Sequence, residues 1–168
     1  IAYFGSKVAV IHSALSAGER IDEWKRINSG DAKIIVGTRS AVFAPAKNLG
    51  LIIMDEEQEQ SYKSDRAPRF HARDAAAFRC SKNNIPLLLA SATPSIDTFY
   101  RALNGKIKLF EKSIAKNNIY LNTYVVRCSN NSITSKSKEQ EDEIKKGQQT
   151  FIKRAITAVE VFFVIQIV

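Results

Sequence analysis

Three short apolar runs, Ile34-Ile35-Val36, Leu51-Ile52-Ile53-Met54 and Pro86-Leu87-Leu88-Leu89-Ala90, each empty into a loop of small or polar residues, and this repetition constrains the fold more than any other feature. Runs apolar at nearly every position, with helix-like segments between them, describe strands buried on both faces of a parallel sheet. The pattern predicts a strand at Lys7–Ile11 and a helix over Ala17–Ser29, with Ile21, Trp24 and Ile27 on one face and Gly30 as its stop. A strand at Lys33–Val36 and the Leu51–Met54 strand come next, followed by a helix over Ala72–Lys82. The Pro86–Ala90 strand leads into a helix over Ser95–Leu103, with Ser95 as N-cap. The expected architecture is α/β, three-layered, with a mostly parallel sheet. In such sheets ligands gather beyond the carboxyl ends of the strands, where the three polar loops emerge.

The loop after Met54 reads Asp55-Glu56-Glu57-Gln58. Magnesium takes oxygen ligands and keeps several of its waters, so one carboxylate at a rigid strand end, here Asp55, can hold it against a nucleotide's phosphates. Glu56 would then orient or deprotonate an attacking water, and two neighbouring carboxylates with separate tasks suit phosphoryl transfer, which is mostly positioning and charge stabilisation. The plainer alternative is a solvated acidic turn. Between Ser61 and Asp74 the aromatics Tyr62 and Phe70 and the imidazole of His71 are interleaved with Lys63, Arg66, Arg69 and Arg73. Rings that stack bases and cations that follow a phosphate backbone suit a single strand of nucleic acid. A solvent loop with two rings tucked beneath it is the alternative, and His71 can equally cap the helix that follows it.

Composition agrees without deciding. The 168 residues suffice for one domain with a real core, and a net charge of +8 favours a polyanionic partner. Part of that excess lies beyond Lys112. Cys80 and Cys128 lack a C-x-x-C arrangement and read as reduced thiols of a cytosolic protein, and neither His12 nor His71 has a neighbour suited to metal ligation.

The stretch Gly37-Thr38-Arg39-Ser40-Ala41-Val42-Phe43-Ala44-Pro45, followed by Asn48-Leu49-Gly50 and the Leu51–Glu57 run, and then Ser91-Ala92-Thr93-Pro94-Ser95, closely resembles the primosomal protein N′ family, the replication-restart DNA helicases of bacteria. The likeness runs from about Phe4 to about Leu109 and includes His12–Arg20, Trp24, Tyr62-Lys63 and Pro68–Asp74. What it implies is a superfamily 2 motor, an ATP-dependent 3′ to 5′ helicase with a RecA-like first domain, of which residues 1–112 would be a part. By that likeness Asp55 and Glu56 are the magnesium-binding and water-activating pair. Glu57, Gln58, Ser91, Ala92 and Thr93 link nucleotide to motif coupling, and Gln58 stands where the family usually has His. Gly37, Thr38, Arg39 and Ser40 would hold single-stranded DNA by its phosphates. Tyr62, Lys63, Arg69, Phe70, His71 and Arg73 would belong to an aromatic-rich DNA-sensing loop. The implied cofactors are ATP and Mg2+, with zinc in the full-length family but no zinc site in this chain. The implied partners are single-stranded and forked DNA, the primosome and helicase-loading proteins, in the bacterial cytoplasm and not at a membrane.

No G-x-x-x-x-G-K-[ST] run occurs in the sequence, so the backbone cradle for a nucleotide's phosphates would have to come from upstream. The chain is therefore expected to be a piece of a motor, inactive alone. Beyond Ser113 the pattern weakens: Asn122–Val126 could be a strand opening a second lobe, Glu139–Gln149 is a weak helix, and the polar Asn130–Ser137 is expected to be a loop or disordered. The segment 113–168 would be linker and the start of that second domain. Ala155–Val168 is strongly apolar, and its last eleven residues are too few to cross a bilayer, which takes about 20; a hidden strand or an aggregation-prone tail is expected. A reading-frame shift near Thr150 is a further expectation, because codons for Arg154 onward can be chosen that give, in a neighbouring frame, a Gly-Tyr segment leading into cysteines. Other functions weighed are a nucleic-acid-binding module without hydrolysis and a related superfamily 2 repair helicase. The first has no use for a carboxylate pair at a strand end, and the second fits the Gly37–Pro45 run less well.

Overall fold

The computed structural model describes residues 4–113, 120–127 and 164–168. Within them a seven-stranded sheet runs in the order β1-β2-β7-β3-β4-β6-β5. Its strands are β1 (Val8–Ile11), β2 (Ile34–Gly37), β3 (Leu51–Met54), β4 (Pro86–Ala90), β5 (Lys108–Ser113), β6 (Tyr120–Arg127) and β7 (Val164–Ile167). The helices are α1 (Ala17–Ser29), α2 (Ala72–Asn83) and α3 (Ile96–Leu103). Every strand and helix expected before Leu103 is present.

Local chemistry explains where the helices start and stop. Ser16 and Glu19 form a reciprocal capping box at the start of α1, and Gly30 ends it in the left-handed region at φ 87°. Ser95 caps α3 by accepting from the Thr98 amide, and Asn84 ends α2 at φ 52°. The expected apolar face of α1 is only partly buried. Ile27 joins the core, whereas Ile21 is 55% and Trp24 42% exposed. A helical period shows which face a chain can bury, and no described element covers that part of it.

The sheet is mixed rather than mostly parallel. β1 pairs parallel with β2 and β3 with β4, but β7 is antiparallel to both β2 and β3, and β6 is antiparallel to β4 and β5. The strands read from the sequence, β1 to β4, do run in one direction. The antiparallel pairings come from β5, β6 and β7, where the sequence pattern was weak. The Asn122–Val126 strand exists within β6, but it hydrogen-bonds to β4 in the same sheet instead of opening a separate one. Of the two outcomes expected for the apolar tail, the hidden strand is the one seen at Val164–Ile167. The helix expected at 139–149, the loop at 130–137 and the start of the frame-shifted stretch lie outside the described residues.

Among the described residues the main core cluster lies on one face of the sheet. From β1 through β4 the strand order advances in a single direction, so right-handed connections bring the intervening segments to one face. The core agrees, since Ala9, Ile11, Ile35, Ile52, Met54, Leu87 and Leu89 share one cluster with Ile27 of α1, Ala41 and Val42, and Ala72, Ala76 and Cys80 of α2. On the opposite face Ile53, Leu88 and Ala90 are buried, while Val10, Ile34, Val36 and Leu51 keep partial exposure. Doubly covered sheets need the strand order to reverse, and this run of strands does not.

Candidate functional site at the strand ends

The parallel course of β2, β3 and β4 delivers Gly37–Ser40, Asp55–Gln58 and Ser91–Ser95 to the same end of the sheet. Side-chain bonds join the last two loops. Gln58 Nε2 donates to Glu56 Oε2 at 2.7 Å, and the Ser91 hydroxyl donates to Gln58 Oε1 at 2.5 Å. The Thr93 amide in turn donates to Ser91 Oγ at 3.0 Å. Glutamine therefore makes the contact from Glu56 to the β4 loop, using its amide as donor on one side and acceptor on the other.

Asp55 follows Met54, a fully buried strand residue. Its Oδ1 accepts the Glu56 amide at 3.1 Å, and its carbonyl accepts the Tyr62 hydroxyl at 2.6 Å. Burial raises the Asp55 carboxyl above its ordinary value; the Glu56 amide bond opposes that rise and the Glu56 charge adds to it. Glu56 sits at φ 47°, a left-handed conformation uncommon for a residue other than glycine. Among the described residues neither carboxylate forms an ion pair. A desolvated carboxylate beside another, with no cation opposite, is an environment that a divalent cation would relieve. No cluster of three or more potential metal ligands occurs among the described residues, so such an ion would bring most of its own ligands, as magnesium on a nucleotide does.

Glu57 ties its loop to the segment after β4 from within the protein. It is fully buried and turned into the protein. Its carboxylate accepts from the Ser95 amide at 2.7 Å, the Ser95 hydroxyl at 3.1 Å, the Thr98 hydroxyl at 3.0 Å and Arg73 at 3.2 Å. The residue thus binds the end of β3 to the start of α3 and to α2. No signal in the local sequence separates a third acidic residue facing solvent from one facing inward.

The expected DNA contacts divide into two groups. Tyr62 is not available for stacking, because it is buried and its hydroxyl is bonded to Asp55, and burial drives that hydroxyl's pKa far upward. Arg73 is not a phosphate contact either: it pairs with Glu57 and, at 3.1 Å, with Asp97. His71 is the N-cap of α2, its Nδ1 accepting from the Arg73 amide at 3.2 Å. Burial and then the Arg73 charge lower its pKa. Gly37 is buried against β1 rather than open to phosphate. A Cβ there would lie 2.2 Å from the Ile11 carbonyl oxygen, so only glycine fits.

Lys63, Arg66 and Arg69 are exposed, as are Thr38 and Ser40. Arg39 NH1 donates to the carbonyls of Ser61 (3.1 Å) and Lys63, and its guanidinium lies 5.9 Å from the centre of the Phe70 ring. Phe70 meets Phe43 edge-on, with centroids 4.9 Å apart. Phe43 is 48% exposed and was missed from the sequence, where it looked like one more apolar residue before Ala44-Pro45. Arg39, Phe43 and Phe70 together bring the loop after β2 onto the segment after β3.

With this geometry in hand, comparison with known proteins is informative. Treponema pallidum replication restart protein PriA is 50% identical over 105 residues, covering 62% of this chain and 16% of that protein. This chain is similar to one part of that replication restart protein. The Bacillus subtilis protein of that name is 49% identical over 106 residues, covering 63% of this chain and 13% of the relative. The Haemophilus influenzae one is 40% identical over 131 residues, covering 77% and 18%. That last match is longer than residues 1–112, so the PriA likeness continues past Lys112. The chain spans less than a fifth of the length of these relatives. No protein-family model matches it. Among the described residues no helix is long and apolar enough to cross a membrane.

Proposed function

We propose that this chain supplies part of the hydrolysis site and part of the DNA-contacting surface of an ATP-dependent 3′ to 5′ DNA helicase that serves primosome assembly and the restart of stalled replication forks. The observation carrying this reading is the bonded series Glu56, Gln58, Ser91 at the carboxyl ends of neighbouring parallel strands, beside Asp55. Asp55 would hold Mg2+ through that ion's waters or the nucleotide, and the ion would neutralise charge on the ATP phosphates. Glu56 takes the proton of the attacking water or orients it, and Gln58 fixes the Glu56 carboxylate while reporting its position to the Ser91–Thr93 loop. DNA meets the exposed cations Lys63 and Arg69, the Thr38 and Ser40 hydroxyls, and the Phe43 and Phe70 rings. A non-hydrolysing binding module would give no use to the Glu56–Gln58–Ser91 series.

Residues 1–112 would belong to a RecA-like first motor domain, with 113–168 at the passage to the second. The partly exposed face bearing Val10, Ile34, Val36 and Leu51 is where a further layer would complete a three-layer sheet. Such a protein works in the bacterial cytoplasm on single-stranded and forked DNA with primosome and loader proteins. Since the sequence has no phosphate loop, the chain alone should bind single-stranded DNA in a salt-dependent manner yet hydrolyse no ATP. Fluorescence anisotropy against salt and a phosphate-release assay measure both. DNA-stimulated phosphate release by the 168-residue chain would refute the assignment of a partial site.

A further inference from the structure

Among the described residues β1 is the outermost strand of the sheet, paired with β2 alone. Its inward groups face β2: the Lys7 carbonyl accepts from the Lys33 amide at 2.8 Å, and the Ile11 carbonyl accepts from the Thr38 amide at 3.2 Å. The peptide groups of Val8 and Val10 therefore point the other way, to the outer edge. Such an edge is a template for another strand unless a lysine, a proline, a bulge or a covering element closes it. Val8-Ala9-Val10-Ile11 contains no charge and no proline, and its β-branched residues suit a strand. Protection has to come from elsewhere in the fold.

It comes from α1. Ile27 lies in the core cluster with Ala9 and Ile11, which holds the helix against the strand. One turn before it, Glu23 accepts the Val10 amide on Oε2 at 3.2 Å. Its other oxygen accepts from Arg26 NH1 at 2.5 Å, and Arg26 NH2 donates to the carbonyls of Ser6 and, at 3.3 Å, of Val8. The Val8 amide is taken by the Gly5 carbonyl in the turn before the strand. A carboxylate thus meets an outward amide and a guanidinium meets outward carbonyls, as the groups of a neighbouring strand would. Both side chains are largely shielded from water, Glu23 at 20% and Arg26 at 34% exposure, where charge-assisted bonds exceed those of a surface pair.

We propose that Glu23 and Arg26 form a clip closing the outer edge of β1, and that the edge beneath it is a pairing surface for the same edge of a second copy of this chain. Two copies of one edge strand laid antiparallel about a two-fold axis satisfy each other's amides and carbonyls, so the strand is its own complement. With the clip in place those groups are occupied and the edge stays closed. With the clip gone, an apolar strand with unpaired polar backbone groups faces solvent. The proposal rests on the sheet edge and is independent of ATP hydrolysis.

The test compares the whole chain with its Glu23→Ala/Arg26→Ala variant by analytical ultracentrifugation and by hydrogen exchange resolved to single amides. The variant should half-associate at a concentration about ten-fold lower than the unmodified chain, or lower still, because the charge-assisted bonds of the clip no longer have to break before the edge can pair. Its Val10 amide should exchange rapidly when dilute and slow again as concentration rises, whereas in the unmodified chain that amide is protected throughout. A folded variant that associates no more than the unmodified chain overturns the proposal. So does one that associates while Val10 exchange stays fast, since another surface is then responsible. Should the double variant not fold, Glu23→Ala alone decides, with Arg26 still placed to reach the Ser6 and Val8 carbonyls. In dilute solution its Val10 amide should exchange about ten-fold faster, or more, while Ala9 and Ile11 on the β2 side stay protected, and concentration should slow it again. A Val10 rate unchanged by the substitution, or unmoved by concentration, overturns the idea.

Discussion

Replacing Glu57 by alanine should destabilise the chain by about 3–5 kcal/mol, the usual cost of removing one member of a buried ion pair. The size follows from what is left behind. Arg73, 16% exposed at its side chain, would lose its buried counter-ion and keep only the exposed Asp97 and the more distant, exposed Asp74. The Ser95 amide and the Ser95 and Thr98 hydroxyls would lose their shared acceptor. Native domains are stable by about 5–15 kcal/mol in total, so a loss of this size removes much of the margin. Glu57→Gln keeps acceptor atoms at the same place and should cost clearly less. Urea denaturation followed by circular dichroism provides both values. A loss below about 1 kcal/mol for the alanine variant would mean that the Glu57 network contributes little.

The second large effect concerns Glu56. In the longer polypeptide, Glu56→Gln, numbered as in this chain, should lower kcat for DNA-stimulated ATP hydrolysis by about 10²–10⁴-fold, the range for removal of a general base. Affinity for single-stranded DNA should stay within about two-fold, because the cations and rings assigned to DNA lie on other residues. The amide is isosteric and can still accept from Gln58 Nε2, so the loop geometry should survive while proton acceptance is lost. Steady-state kinetics with and without DNA, beside anisotropy, separates the two effects. Wild-type turnover by Glu56→Gln would remove Glu56 from the chemistry.

Residues whose role is written in a local pattern were legible. Gly30 as the stop of α1, Ser95 as the N-cap of α3 and the apolar runs of β1 to β4 each have a chemical reason confined to a few neighbours, and those elements appear where the sequence places them. Roles that depend on distant partners were not legible. Glu57 and Arg73 look like surface charges until α3 is brought against them, and Tyr62 looks like a stacking ring until its hydroxyl meets the Asp55 carbonyl. Phe43 gains meaning only from Phe70, and Gly37 owes its identity to the Ile11 carbonyl on a strand far away in sequence. The sheet was misjudged for the same reason. Apolar alternation does not encode strand direction, so the antiparallel insertion of β7 left no trace in its own residues.

The central claim is that Asp55 and Glu56 form a site for the metal of a bound nucleotide. Its most direct test is anomalous diffraction from Mn2+, substituted for magnesium, in crystals of the longer polypeptide with a non-hydrolysable ATP analogue. The account predicts a manganese peak beside the Asp55 carboxylate, in direct contact or one water away, with Glu56 facing the terminal phosphate. A peak held by other residues, with Asp55 and Glu56 facing only solvent, would contradict it.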